Sequence, residues 1–348
     1  MKILILGGTR FLGYHLVKAA LARNHEITLF NRGTHPSPSE NVETIHGDRN
    51  RDLDKLQGRR WDAVIDTCGF VPRAVTASAQ LLSHSIDRYV FISSLSAYAD
   101  LSANGVNENA PLATLTTEQL EQANAIDSSG QGSGSAYGKM YGGLKALCEQ
   151  AAEEVLPGRV LTIRPGLIVG PKDYTDRFTY WVVRVAQGGE VLAPGRPQRF
   201  LQFIDVRDLA EWTVRMIERQ ESGVYNANGL DSVVTMERLL EECKDVSESD
   251  ATFTWASEDF LLEENVTAWS AMPLWLPEEA APHLKGFMFM SIDKAVNAGL
   301  SFRPLDDTIR DTLGWYKRER ADSELEAGID EDKERALLHL WHQANDGT

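Results

Sequence analysis

The stretch Lys2–Phe30, KILILGGTRFLGYHLVKAALARNHEITLF, decides the fold. Lys2–Leu6 (KILIL) is the continuous apolar run that a strand buried on both faces requires. It stops at Gly7-Gly8, and FLGYHLVKAALARNH then takes up helical spacing as far as Asn24. EITLF (Glu26–Phe30) reads as a second strand. The rhythm continues outward through VETIHGD (Val42–Asp48), WDAVIDTCG (Trp61–Gly69), a helix around Ala74–Leu82, RYVFISS (Arg88–Ser94) and RVLTIRPG (Arg159–Gly166). Apolar strands alternating with helices predict an α/β fold with a doubly wound parallel sheet covered on both faces.

Asp100–Ser135 breaks the pattern. DLSANGVNENAPLATL and DSSGQGSGSA are loop-like, and a long loop inside a compact domain is usually functional. After Gly170-Pro171 aromatic and charged residues mix, and WSAMPLWLPEEAAPHLKG is irregular. The expected organisation is a nucleotide-type domain over 1–165, a smaller substrate-binding lobe over 166–317 interleaved with returns to the sheet, and an acidic helical tail over 318–348.

The chain has 348 residues, 43% hydrophobic and 25% charged, so a sizeable core is expected. With 51 acidic against 35 basic residues the formal charge is −16, which repels nucleic acid and anionic membranes. Cys68, Cys148 and Cys243 form no C-x-x-C pair, which points away from a disulfide framework or a zinc knuckle and toward a reducing cytoplasm. MKILILGGT is too short an apolar run for a signal peptide, and no run approaches the length of a membrane helix. The scattered histidines suggest no metal set.

The turn Gly7, Gly8, Thr9, Arg10, Phe11, Leu12 and Gly13 lies between the first strand and the first helix. Glycines there admit a dinucleotide pyrophosphate, and the helix N-terminus offers free N–H groups and a positive dipole end. The spacing is not a clean G-x-G-x-x-G, and a plain strand–turn–helix junction stays open as the alternative. At the end of the second strand an Asp or Glu would bind a ribose 2′-hydroxyl. Here the residues are Asn31 and Arg32. With Arg10, two guanidiniums suit a 2′-phosphate, which favours NADP, with NAD possible.

SAYGKMYGGLKALCE (Ser135–Glu149) holds Tyr137, Lys139, Tyr141 and Lys145. Only Tyr141 and Lys145 are four apart, on one face of a helix. A phenol near an ammonium and an oxidised nicotinamide is drawn from its ordinary value of about 10 toward operating pH. That suits a general acid/base. Ser93 and Ser94 close the fifth strand, where open α/β sheets bind ligands, and a serine there orients a reacting oxygen. Each feature alone also fits a half-buried helix face or a strand end.

Taken together, GGTRFLG, Gly47-Asp48, VIDTCG, FISSLSAY, YGGLK, RPGLIVGP and FIDVRDLA resemble the extended or atypical short-chain dehydrogenase/reductases, grouped with the NAD-dependent epimerase/dehydratases. The resemblance runs from Met1 to about Trp315 and implies a Rossmann domain with a smaller C-terminal substrate lobe. It implies a catalytic set of Ser94, Tyr141 and Lys145, with Ser93, Tyr141 and Lys145 also near the cofactor. It implies Asp48 at the adenine, Thr67, Cys68 and Gly69 lining the cofactor, and Pro165 to Ile168 at the carboxamide. It also suggests a homodimer.

The chain departs from the family pattern in several places. Arg10 stands where a middle glycine is usual, similar to a subgroup with chloroplast RNA-binding relatives. Ser94-Leu95-Ser96 replaces the Thr-Asp-Glu of dehydratases. RPGLIVGP lacks the Asn of UDP-sugar epimerases, and Leu201, with Arg199 nearby, occupies the place of a diphosphate-binding Arg. The expected function is an NADP(H)-dependent oxidoreductase acting on a small-molecule carbonyl/alcohol pair. The alternatives are a sugar or nucleotide-sugar epimerase with retained cofactor, and a non-catalytic RNA-binding or regulatory relative.

Overall fold

The computed structural model describes residues 1–126, 134–230 and 232–345. The chain divides into two compact units. The first comprises residues 1–166, 206–228 and 290–301. It is built on a seven-stranded sheet, parallel throughout. Six strands are β1 (Lys2–Leu6), β2 (Glu26–Asn31), β3 (Glu43–His46), β4 (Ala63–Asp66), β5 (Arg88–Ile92) and β6 (Val160–Pro165). The strand Gly223–Ala227 pairs with β6 at one edge, and β3 forms the other.

From β1 the sheet runs to β2 and β3 on one side and to β4, β5 and β6 on the other. The strand order thus reverses between β1 and β4, where the carboxyl ends leave a ligand crevice. The central strands are buried almost without interruption, as the apolar runs predict. Helix α1 (Phe11–Ala22) packs on the helix Val206–Glu218. Helix α2 (Pro72–Leu82) packs on α4 (Tyr141–Val155).

Within Asp100–Ser135 the structure contains a helix that the loop-like composition concealed, α3 (Thr117–Ala125). It opens with a reciprocal capping box, in which Gln119 N donates to Thr116 Oγ1 and Thr116 N donates to Gln119 Oε1. Residues 127–133, near the end of that expected loop, lie outside the described residues.

The second unit comprises residues 167–205, 229–289 and 302–348. Its strands are short: Leu167–Val169 pairs with Phe203–Asp205, Glu190–Pro194 with Thr252–Ala256, and Phe200–Leu201 with Val234–Thr235. Phe178, Trp181, Phe203, Leu239 and Trp275 are among the residues of its core. The C-terminal segment joins that core through the helix Glu331–Asn345, where Leu337 and Leu338 are buried. Glu334 pairs with Arg184 at 2.5 Å. No helix among the described residues is long and apolar enough to cross a membrane.

Candidate active site

The glycine turn follows β1. Gly7 and Gly8 take φ +103 and +87, and Gly7 N donates to Phe30 O at 2.9 Å. Gly13 is required by a close approach, since a Cβ there would sit 2.6 Å from Gly8 Cα, against backbone that has no way to yield. Helix α1 starts at Phe11 with no side-chain cap and no acid in its first turn. The start of this helix faces the turn with its positive dipole end, an arrangement suited to an anion. Phe11 itself is held at φ +33, a strained value for a non-glycine residue.

Asn31 ends β2 and its carboxamide is engaged locally: Nδ2 donates to Gly7 O at 3.4 Å and Oδ1 accepts from Gly33 N at 2.8 Å. Arg10 and Arg32 are both exposed at this end of the sheet, Thr9 is half-buried and Leu12 is buried. Asp48 Oδ1 accepts from Asn50 N at 2.8 Å, which shapes the turn after β3. Beyond β4, Thr67 Oγ1 donates to Leu6 O at 2.8 Å and Cys68 N donates to Asp66 Oδ1 at 3.0 Å. The first of these bonds joins the ends of β1 and β4 where the strand order reverses.

Ser94 Oγ accepts from Ser96 N at 3.1 Å and caps the tight turn Leu95–Ala97. The first turn of α4 lies directly on this segment. A Cβ on Gly142 would fall 2.0 Å from Ser96 O, so only glycine permits the approach. The approach brings the Tyr141 phenol beside Ser94. Burial raises the phenol above its ordinary value, and the neighbouring Ser94 hydroxyl pulls the other way.

Lys145 is buried one turn further on. Its Nζ donates to Gly69 O at 2.9 Å and to Ile92 O at 2.6 Å, tying the chain beyond β4 to the end of β5. It also lies 4.5 Å from the Phe91 ring centroid. Desolvation lowers the ammonium from its ordinary value. The sequence argument has Lys145 draw the phenol down. The structure instead commits Lys145 to two carbonyls, and burial governs Tyr141. Tyr137, the other tyrosine of the motif, is buried and stacks on Phe70 at 6.0 Å.

Two buried ion pairs escaped the sequence reading. Glu149 receives Arg164 through two bonds of 2.9 and 2.6 Å, and Ser93 Oγ donates to the same carboxylate. Arg164 stacks on Tyr98 at 4.7 Å, and the Tyr98 hydroxyl donates to Asn226 Oδ1 at 2.6 Å. Glu149 lies four residues after Lys145, and that spacing was the available signal. Arg49 bonds Asp66 at 2.7 and 2.9 Å and approaches Cys68 Sγ at 3.4 Å. Its signal was the acid ending an apolar strand, which needs a cation when buried.

Pro165 is buried at the end of β6. Ile168 belongs to the second unit, in the strand Leu167–Val169, opposite Ile204. Arg199 in that unit is buried against Glu258 and the Leu276 carbonyl.

The residues here fit a nicotinamide dinucleotide: a positive-φ glycine turn that opens a helix after β1, and a hydroxyl pair at the carboxyl end of β5. The profile of the NAD dependent epimerase/dehydratase family matches residues 3–227, more than half of the chain. Among solved structures, UDP-glucuronic acid 4-epimerase from Bacillus cereus, in complex with NAD, is 18% identical with a TM-score of 0.63. The match covers 91% of this chain and 99% of that one. UDP-N-acetylglucosamine 4-epimerase from Methanobrevibacter ruminantium is 19% identical with a TM-score of 0.64, over 91% and 98% of the two chains. At these identities the likeness is one of fold. A curated relative, the chloroplast stem-loop binding protein of 41 kDa b from Arabidopsis thaliana, is 24% identical over 264 residues. That match covers 70% of this chain, and the chain spans 62% of the relative's length. With a parallel Rossmann sheet, a phosphate-type turn and a family match across both, the chain belongs to the NAD dependent epimerase/dehydratase family.

Proposed function

We propose that the protein transfers hydride at a hydroxyl-bearing carbon of a small molecule, in the form of a sugar epimerisation with the nicotinamide retained. The observation that carries this reading is the Tyr141 phenol beside Ser94 at the end of β5, with Lys145 anchored on the carbonyls of Gly69 and Ile92. The family match favours the epimerase form over net reduction.

The Gly7–Gly13 turn would hold the pyrophosphate on the start of α1, with Asp48 and Thr67 to Gly69 toward the adenosine and Pro165 near the carboxamide. A nicotinamide held there would supply a reversible hydride acceptor for the substrate carbon. Tyr141 moves the hydroxyl proton, and Ser94 orients the oxygen and hydrogen-bonds the phenol. Burial favours the protonated phenol, the form that donates to a carbonyl oxygen. To act as base, Tyr141 needs added positive charge nearby, which an oxidised nicotinamide brings. Lys145 holds the ends of β4 and β5 in place.

The test is to denature the purified protein, quantify released nicotinamide, and assay UDP-sugars and free sugars for epimerisation. The expected result is bound nicotinamide near one per chain. Tyr141→Phe should then lower turnover by about 10²-fold or more while the nicotinamide stays bound. A variant with full turnover would exclude the proton-transfer role.

A second reading is a net NADP(H)-dependent oxidoreductase, supported by the exposed Arg10 and Arg32 beside the turn. It expects tighter NADPH than NADH binding, with the preference lost in Arg32→Asp. Equal binding of the two by the unaltered protein would exclude it.

A further inference from the structure

In the second unit the chain leaves the strand Leu167–Val169 through a strained turn, with Gly170 at φ +121, Lys172 at +73 and Asp176 at +56. Asp173 is fully buried in this turn. Its Oδ1 accepts from the backbone N and the hydroxyl of Thr175, at 2.9 and 2.8 Å. Its Oδ2 has no hydrogen-bond partner among the described residues.

Arg177 lies four residues on and feels the Asp173 charge, yet forms no ion pair with it among the described residues. The guanidinium lies over the Trp269 indole, 5.3 Å from the ring centroid. Trp269 in turn meets Phe287 edge-on at 5.8 Å. Trp181 and Trp275 are wholly buried, whereas Trp269 is only half-buried. Arg177 has therefore lost solvent without gaining a hydrogen-bonded acid. Arg49, Arg164, Arg184, Arg199 and Arg320 each face a carboxylate. Burial of a guanidinium without such a partner is costly. With its face on an indole, the N–H edge of a guanidinium stays available for in-plane, two-pronged bonding to an oxyanion. A buried carboxylate oxygen without a donor calls for a hydroxyl.

We propose that Arg177, Trp269 and Asp173 form a binding site for a small hydroxylated oxyanion, a carboxylate or phosphate carried on a polyol. The guanidinium holds the anionic group, the indole fixes the guanidinium plane, and Asp173 Oδ2 accepts from a neighbouring hydroxyl. The site stands on the second unit alone and does not rest on the nicotinamide chemistry.

Calorimetric titration of the intact chain with glucose 6-phosphate, glucuronate, inorganic phosphate and neutral glucose tests it. At least one charged sugar should bind about tenfold or more tightly than glucose, and Arg177→Gln should remove that advantage while bound nicotinamide is unaffected. Binding of glucose 6-phosphate alone identifies a phosphate, and of glucuronate alone a carboxylate. Asp173→Asn should tighten inorganic phosphate, because a like charge is removed, and narrow the gap between glucose 6-phosphate and phosphate. Charged sugars that bind no better than glucose, or an Arg177→Gln protein that binds them unchanged, would overturn the proposal. Should Arg177→Gln fail to fold, unchanged phosphate affinity in Asp173→Asn overturns it instead.

Discussion

At the residue scale, Tyr141 and Lys145 share a helix face but have different surroundings. The Tyr141 phenol lies beside Ser94 and its hydroxyl ties no other part of the chain among the described residues, so removing its oxygen leaves the fold intact. Lys145 is a structural tie as well as a charge. Lys145→Met would leave the Gly69 and Ile92 carbonyls without their buried donor, each costing about 1–3 kcal/mol. A lower Tm and weaker cofactor binding are therefore expected together, because Gly69 belongs to the segment proposed to line the dinucleotide. Calorimetric melting separates the two substitutions: Tyr141→Phe should melt with the unaltered protein and Lys145→Met well below it. Gly13→Ala makes a sharper test of the turn. The new methyl would meet Gly8 Cα at 2.6 Å, so the turn must open. Nicotinamide should then be absent from the purified variant, and full retention would show that the turn does not hold it.

At the scale of elements, α4 is fixed by more than its apolar face. Glu149 anchors it to Arg164 on β6 and to Ser93 after β5. Glu149→Ala leaves Arg164 buried and uncompensated, at a cost of about 3–5 kcal/mol. The urea midpoint should fall accordingly, and a double replacement of Glu149 and Arg164 by apolar residues should recover much of the loss. The turn after Leu167–Val169 carries a pH dependence of its own. Burial pushes the Asp173 carboxyl up to about 6, the Thr175 hydrogen bonds opposing it. The folded state therefore holds that proton more tightly than the unfolded chain, whose aspartate sits near its ordinary value of about 4. The stabilisation is complete below pH about 4 and is lost as pH rises through about 6, a swing of about 3 kcal/mol. Asp173→Asn should be the more stable protein at pH 7.5, with the difference closing by pH 4 in paired urea titrations.

The same elements explain what was legible in the sequence. Strands β1, β2, β4, β5 and β6 announce themselves because burial on both faces makes them largely apolar runs, whereas β3 is a short, partly exposed edge strand. GVYNA (Gly223–Ala227) carries no such run, and it becomes a strand only by adding to β6. The strands of the second unit are two to five residues long and pair over long distances, Glu190–Pro194 with Thr252–Ala256, so no local pattern marks them. The candidate site divides likewise. A tyrosine and a lysine four apart can be read from spacing, whereas Arg49 beside Asp66 and Arg164 beside Glu149 exist only once the strands are side by side.

At the scale of the whole molecule, net charge bears on the remaining reading, RNA binding. One relative is named for stem-loop binding, and Arg49, Arg51 and Arg73 line a cleft of about 300 Å³ in the first unit. Arg49 is already committed to Asp66, and Asp54 lines the same cleft. Against these few cations stands a formal charge of −16. Nucleic-acid affinity is dominated by cation–phosphate contacts, each of which adds to the salt dependence. With two arginines in the cleft that pair with no carboxylate among the described residues, log K against log salt should have a slope of about −2 or shallower, and binding at physiological salt should be weak. A filter-binding titration with an RNA stem-loop from 50 to 200 mM salt measures both quantities. Micromolar or tighter binding at the upper salt, with a steep slope, would require a basic surface larger than this cleft and would move the RNA reading ahead of the enzymatic one. A shallow slope and weak binding would leave hydride chemistry at Tyr141 as the function that selection of this sheet, turn and buried lysine best accounts for.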